Sequence, residues 1–180
     1  MKKVLFILGE FSDGDIDWLV AVGRQQAIAT GQVLITEGKP IDALYIILEG
    51  HFAVSVAAMG NRTVAEVGCG EVIGEMSFID ERPPSATVTA QEPSRVLAVS
   101  RAAVMARLRT DIGFGARFYR ALAVFLSDRL RATVSHLGFG KETALDERQE
   151  YEDELDMTVL EKITLAGARF DWMLRRLSGG

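Results

Sequence analysis

The distribution of apolar positions divides the chain into a short helical start, a long β-rich middle and a helical end. In SDGDIDWLVAVG, residues 12–23, capping residues precede Ile16, Leu19 and Val20 at helical spacing, which predicts a short helix. Between Ile28 and Val99 the pattern becomes a series of short β-rich runs: QVLITEG, ALYIILEGHFAVSVA, TVAEVGCGEVIGE and SATVTAQEPSRVLAVS. Each is bounded by Gly, Asn or Pro at the close spacing expected of an antiparallel sandwich or barrel. Gly31, Gly38, Gly50, Gly60, Gly68, Gly70 and Gly74 punctuate these runs, where the corners of a tightly wound roll need positive φ.

After Ser100 the spacing is helical again. RAAVMARLR predicts a short helix, and a longer one runs from Asp111 to about His136, with Tyr119, Leu122, Leu126, Leu130, Thr133 and Leu137 at intervals of three or four. A second stripe passes through Phe114, Phe118, Phe125 and Arg129. Together they are wider than one surface helix needs. One stripe is therefore expected to face the roll and the other a second subunit, the alternative being a helix that simply caps the roll. GFGK at 138–141 ends this helix. Residues 142–156 carry eight acids against Arg148, a net of −7, and read as an acidic linker. In 157–177, Val159, Ile163, Ala166, Phe170, Met173 and Leu177 mark one face of an amphipathic helix, expected to meet a protein partner. The expected organisation is a domain over 1–138, a linker over 139–156 and a terminal helix over 157–180.

At 180 residues and 48% hydrophobic, the chain can bury one ordinary core with a short appendage. A net charge of −5 and a pI near 5.1 leave no basic field for a phosphate backbone, so direct DNA contact is not expected. The lone Cys69 makes no intramolecular disulfide, and no Cys/His cluster has metal-ligand spacing, so a reducing cytoplasm is expected. The start, MKKVLFILGEF, has an apolar run too short for a signal peptide and reads as part of the folded domain. No run approaches the roughly 18 apolar residues of a membrane span.

Three signatures follow one another: Gly31-Gln-Val-Leu with Glu37-Gly38, then Tyr45-Ile-Ile-Leu-Glu-Gly50, then GEMSFIDERPPSAT over 74–87. In this order they resemble the cyclic nucleotide-binding domain family, the resemblance covering roughly 10–138. It implies a mainly β fold with α, an antiparallel β-roll or jelly roll flanked by helices, with a long C-terminal helix along which Crp/Fnr-like members dimerise. A winged helix-turn-helix of some sixty residues or more would then follow. Only about forty residues remain, the first part acidic, so that DNA reader is not expected.

The resemblance also assigns the last stretch to a phosphate-binding cassette. Gly74, Glu75, Met76 and Ser77 would offer backbone N–H groups to a cyclic phosphate, and Glu75 would accept from the ribose 2′-hydroxyl unless it is a surface or capping glutamate. Ser85, Ala86 and Thr87 keep side chains small enough to leave room, and Ser85 adds a hydroxyl. The phosphate-pairing arginine of the family falls on Pro84, which has neither guanidinium nor N–H. Arg82, two residues upstream, either swings inward to replace it or is a solvated loop residue. Thr133 either contacts the base or packs in the helix. Arg129 and Arg131 either stack on a purine or pair with a phosphate, or are solvated or salt-bridged. A cyclic dinucleotide, commonly held by surface or interfacial arginines, would draw on Arg82, Arg107, Arg109, Arg117, Arg120, Arg129 and Arg131.

Catalysis has little support. His51 and His136 lack a matching nucleophile, and Ser77 lacks the frame of a nucleophile elbow. Three readings follow. The first is a non-enzymatic sensor of a cyclic nucleotide or cyclic dinucleotide, cyclic di-GMP included, that needs no cofactor or metal and acts through a protein partner such as a transcription regulator. In it, ligand shifts a hinge near Asp111–Gly115 and releases the 157–177 helix. The second is a ligand-independent dimeric scaffold with a degenerate pocket. The third is a Crp/Fnr-type transcription regulator, against which charge and length argue.

Overall fold

The computed structural model describes residues 5–80, 82–138 and 157–178. The expected linker over 139–156 therefore lies outside the described residues. Helices α1 (Leu5–Glu10) and α2 (Asp13–Val22) open the chain, followed by β1 (Arg24–Ile28), β2 (Val33–Ile35), β3 (Ala43–Glu49), β4 (His51–Val56), β5 (Arg62–Gly68), β6 (Val72–Ile73), β7 (Thr87–Ala90) and β8 (Ser94–Ser100). Then come α3 (Arg101–Thr110), α4 (Ile112–Gly138) and α5 (Met157–Leu177).

The strands form two antiparallel four-stranded sheets, in the orders β1-β8-β3-β6 and β2-β7-β4-β5. The predicted β-roll with flanking helices is present. Gly50 passes the chain from the first sheet to the second between β3 and β4. Its φ is +93°, and a Cβ there would lie 2.9 Å from the Ser94 Cα, so this corner accepts only glycine. Of the other punctuating glycines all but Gly68 also have positive φ.

The two central strands of the first sheet, β8 and β3, are buried on both faces, which explains the unbroken apolar run Val96-Leu97-Ala98-Val99 in β8. Ile47 and Val96 point into the roll with Phe52, Val67, Ile73 and Val88. Leu44, Ile46, Leu48, Leu97 and Val99 point the other way, into a second core shared with the helices. β1 was not legible, because its four exposed residues show no alternation and it is defined by pairing with β8.

Ser12 caps α2 as its sequence predicts, in a reciprocal box with Asp15. Asp15 also has a second role. Its side chain is fully buried, and its carboxylate accepts from Arg107 Nη2 at 2.6 Å, from Arg117 Nε at 2.6 Å and from the Ser12 N–H at 2.8 Å. One carboxylate thus joins α2, α3 and α4. Arg107 also lies over the rings of Trp18 (4.7 Å) and Phe114 (4.2 Å). Arg107 and Arg117 are therefore committed to the helical layer and are not available to a dinucleotide. Arg120 pairs with Glu10 at 3.0 Å.

On α4, Phe114, Phe118, Ala121, Leu122 and Phe125 are buried, while Tyr119 and Leu130 are 48% and 64% exposed. Part of the apolar width expected to meet a second subunit is covered instead by α1, which packs along α4. The 157–177 helix packs on its own domain. Its face of Ala166, Phe170 and Met173 is buried against the same domain, because α1 and α2 present complementary apolar surface to it.

Burial alone would raise the Asp15 pKa, but the hydrogen bonds from Arg117 and Ser12 and the Arg117 charge outweigh it and hold it below its ordinary value. Its stabilising contribution is then complete above about pH 4 and is lost as the pH falls through the lowered folded value. Asp15→Ala is expected to cost about 3–5 kcal/mol by removing the shared buried partner of Arg107 and Arg117, with Arg107 left only its longer contact to Asp111 at 3.4 Å, read by urea unfolding at pH 7, with the difference from the parent shrinking below about pH 4.

Candidate functional site

Between the two sheets the roll holds a cavity of about 540 Å³. One wall comes from β4 and β5 and is mostly apolar, Val54, Val56, Val64, Ala65 and Val67, with the carboxylates Glu66 on β5 and Glu71 just after it. The register pairs Phe52 with Val67 and Val54 with Ala65, so these side chains share the inner face. The alternation in HFAVSV was the signal for this wall, which the sequence reading did not use. The opposite wall is Gly74, Glu75, Met76 and Ser77, and the rim is Pro84, Ser85 and Ala86.

Gly74 adopts φ +84°, and a Cβ there would meet Ile41 Cδ1 at 2.7 Å and the Ala43 carbonyl at 3.3 Å. Only glycine lets the chain turn here against β3. The turn continues as a single 3-10 segment over Met76–Phe78, closed by the Phe78 N–H on the Glu75 carbonyl at 3.1 Å. The first N–H groups of such a turn have no partner within it and are suited to an anion or a polar ligand. Glu75 and Ser77 are 2% and 5% exposed, so they line the cavity as buried polar groups, whereas Met76 is 47% exposed at its mouth.

Arg101 holds this turn from behind. Its Nη1 donates to the Ser77 carbonyl, and its guanidinium lies 5.0 Å from the centroid of the Phe78 ring. Sequence reasoning missed it, although a signal existed. Arg101 opens α3 with no acid in its first turn, where the helix dipole mildly disfavours a cation, and that was the weak signal.

The rim residues are tied to the β2–β3 loop. The Pro84 carbonyl accepts from the Gly38 N–H at 2.9 Å, and Thr87 Oγ1 accepts from the Glu37 N–H at 3.1 Å. Thr87 thus spends its hydroxyl on this loop and is not among the lining residues. Arg82 is not brought to the cavity. Its side chain is 83% exposed, with Asp80 Oδ2 3.9 Å from its Nε, and it is not among the lining residues. No lysine or arginine lines the cavity among the described residues. Arg129, Arg131 and Thr133 belong to α4, but their side chains lie outside the described residues. Among the described residues no cluster of His, Cys, Asp and Glu could hold a metal, and no helix is long and apolar enough to cross a membrane.

A family model described as the cyclic nucleotide-binding domain matches residues 25–111. The solved structure of a cyclic nucleotide-binding domain from Methylobacillus flagellatus KT is 30% identical to this chain with a TM-score of 0.68, over 80% of this chain and 85% of that one. The chain belongs to the cyclic nucleotide-binding domain family. Within this family, the Pycsar effector protein PaPycTIR of Pseudomonas aeruginosa is 45% identical over 85 residues, 47% of this chain and 27% of that protein. The cyclic AMP receptor protein of Thermus thermophilus is 30% identical over 97 residues, 53% of this chain and 45% of that protein. The chain thus spans less than half the length of these two relatives.

Gly74→Ala is expected to cost about 1–3 kcal/mol from positive φ alone, and to displace the turn toward the cavity because the Ala43 backbone cannot yield. Thermal unfolding measures the first effect, and hydrogen exchange at 75–78 the second.

Proposed function

We propose that this chain is a non-enzymatic sensor module that takes a cyclic nucleotide or cyclic dinucleotide in the roll cavity and reports occupancy through its helices to a protein partner. The observation that carries the reading is the wall of Gly74, Glu75, Met76 and Ser77, with buried Glu75 and Ser77, across the cavity from the mostly apolar wall of β4 and β5. A flat purine or pyrimidine suits the valines, and a sugar and phosphate suit the polar turn. Similarity to a Pycsar effector protein and to a cyclic AMP receptor protein supports the same class of ligand. The exposed line of Ile112, Tyr119 and Leu130 on α4 supports a homodimer along that helix.

The missing cation sets the strength of this binding. A phosphate held by turn N–H groups and the Ser85 hydroxyl, without a guanidinium, loses hydrogen bonds worth about 1.5–3 kcal/mol each. That same absence favours the second reading, a dimeric scaffold whose pocket no longer takes a ligand.

Thermal unfolding against the four cyclic mononucleotides, cyclic di-GMP and cyclic di-AMP separates the two. A ligand at about a hundred times its Kd stabilises the native state by roughly 2.7 kcal/mol, and a shift of that size is expected with at least one of them. Unchanged unfolding with all of them leaves the scaffold. Introducing a cation at the rim, Pro84→Arg, is expected to tighten binding of a cyclic mononucleotide about tenfold or more in calorimetric titration, and to make it more sensitive to salt.

A further inference from the structure

Of the three glutamates that line the cavity, Glu75 alone is buried, at 2% exposed. Glu66 is exposed and accepts from Gln91 Nε2 at 3.2 Å, and Glu71, half-buried, accepts from the Gly68 N–H at 2.6 Å. Water and local donors can carry those two charges. A carboxylate as deep as Glu75 needs a cation or several donors, because a bare charge in the interior is strongly unfavourable. No lysine or arginine among the described residues shares the lining with it. A counter-charge for it has to come from behind the wall.

Arg101 stands there. Its Nη1 donates to the Ser77 carbonyl, two residues along the turn from Glu75, and its guanidinium lies 5.0 Å from the centroid of the buried Phe78 ring. A guanidinium carries five N–H donors in a rigid fork, and the contact at Ser77 uses one of them. The backbone beneath it is fixed. The Arg101 N–H donates to the Asp42 carbonyl at 2.6 Å, just before β3, and the Ser100 hydroxyl caps α3 by accepting from the Ala103 N–H at 3.2 Å. Arg101 is thus delivered to the turn by β8, a central strand of its sheet. Other arginines are committed elsewhere. Arg95 meets Glu49, Arg107 and Arg117 share Asp15, Arg120 pairs with Glu10, and Arg82 lies in solvent beside Asp80.

We propose that Arg101 is a positioning residue for ligand binding, which pairs with the Glu75 carboxylate from behind the turn and aims it at a hydroxyl of the ligand's sugar. The proposal rests on the sensor reading. In this pairing the guanidinium also offsets the Glu75 charge, so a phosphate entering a cavity lined by three carboxylates meets one fewer uncompensated negative charge. A lysine would supply the charge without the fork that reaches the Ser77 carbonyl and the carboxylate together.

Two measurements on the full chain test it, one without ligand and one with. Urea unfolding at pH 7 compares the parent, Arg101→Gln, Glu75→Gln and the double variant. Arg101→Gln is expected to lower the midpoint, and adding Glu75→Gln to recover part of the loss, because a buried carboxylate left without its cation is worse than a neutral amide. A loss in the double variant equal to the sum of the two single losses overturns the pairing. Calorimetric titration then compares each of cyclic AMP, cyclic GMP, cyclic CMP and cyclic UMP with its 2′-deoxy counterpart. The parent is expected to favour the ribose form about tenfold or more, since the deoxy sugar lacks the hydrogen bond to a charged carboxylate.

Arg101→Gln is expected to cut that preference to about twofold or less, with Arg101→Lys between, and to change it no further in the Glu75→Gln background. A substitution that merely loosened the fold would weaken both sugars alike. An Arg101→Gln protein that binds more weakly but keeps the parental preference therefore overturns the positioning role and leaves the sensor reading standing. Titrations of the parent that are flat for every nucleotide overturn the sensor reading and the positioning role with it, while the unfolding comparison still decides the pairing.

Discussion

The buried carboxylate of Asp15 is the constraint on which the helical layer depends. A carboxylate removed from water is tolerated only if its charge and lone pairs are met, and here two guanidiniums and a backbone N–H meet them. The three donors come from three places in the chain, so satisfying Asp15 fixes α2, α3 and the start of α4 relative to one another. Arg107 adds a second constraint from the same point. Its buried Nη1 has no hydrogen-bond partner among the described residues, and its charge rests instead between Trp18 and Phe114. Those rings in turn position Phe118 and Phe11, and the α1–α2 junction follows.

A consequence of this arrangement is a pair of central strands, β3 and β8, buried on both faces. The sheet containing β8 separates a core inside the roll from a core under the helices, and alternate side chains of β3 and β8 serve one or the other. The turn after Gly74 departs from the edge strand of this sheet, β6, and so borders both cores. Its polar residues face the cavity, and Phe78 enters the helical core. Arg101 holds it from the helical side. A cavity wall built this way cannot move without changing the packing of α4, because a close-packed interior transmits a displacement rather than absorbing it.

Three glutamates, Glu66, Glu71 and Glu75, line the site, and no lysine or arginine among the described residues does. Pro84 removes a cation from the rim, and its carbonyl is used to hold the β2–β3 loop. The anion-seeking groups left are the amides of a short turn and the Ser85 hydroxyl. Such donors give orientation and modest strength, and they place weight on the apolar wall for the rest of the affinity. Among the candidate arginines, Arg107 and Arg117 neutralise Asp15 and Arg120 meets Glu10, each a structural use of a charge that the sequence alone left open.

Local chemistry determined much of this protein. Capping at Ser12, the strand runs with their glycine corners and the amphipathic faces of 111–137 and 157–177 were all readable, because each rests on spacing or on a residue's own conformational limits. The turn at Gly74 and the absence of an arginine at Pro84 were readable too, because short signatures in order carry that information. What the tertiary structure decided were the partnerships between residues far apart in sequence. Asp15 reads as a helix-capping acid until Arg107 and Arg117 reach it, Arg82 reads as a candidate until the fold leaves it exposed and off the cavity lining, and β1 has no pattern until β8 pairs with it. The face of α5 is equally apolar whether it meets a partner or its own α1. Periodicity states that a face must be covered, and only three-dimensional packing states by what.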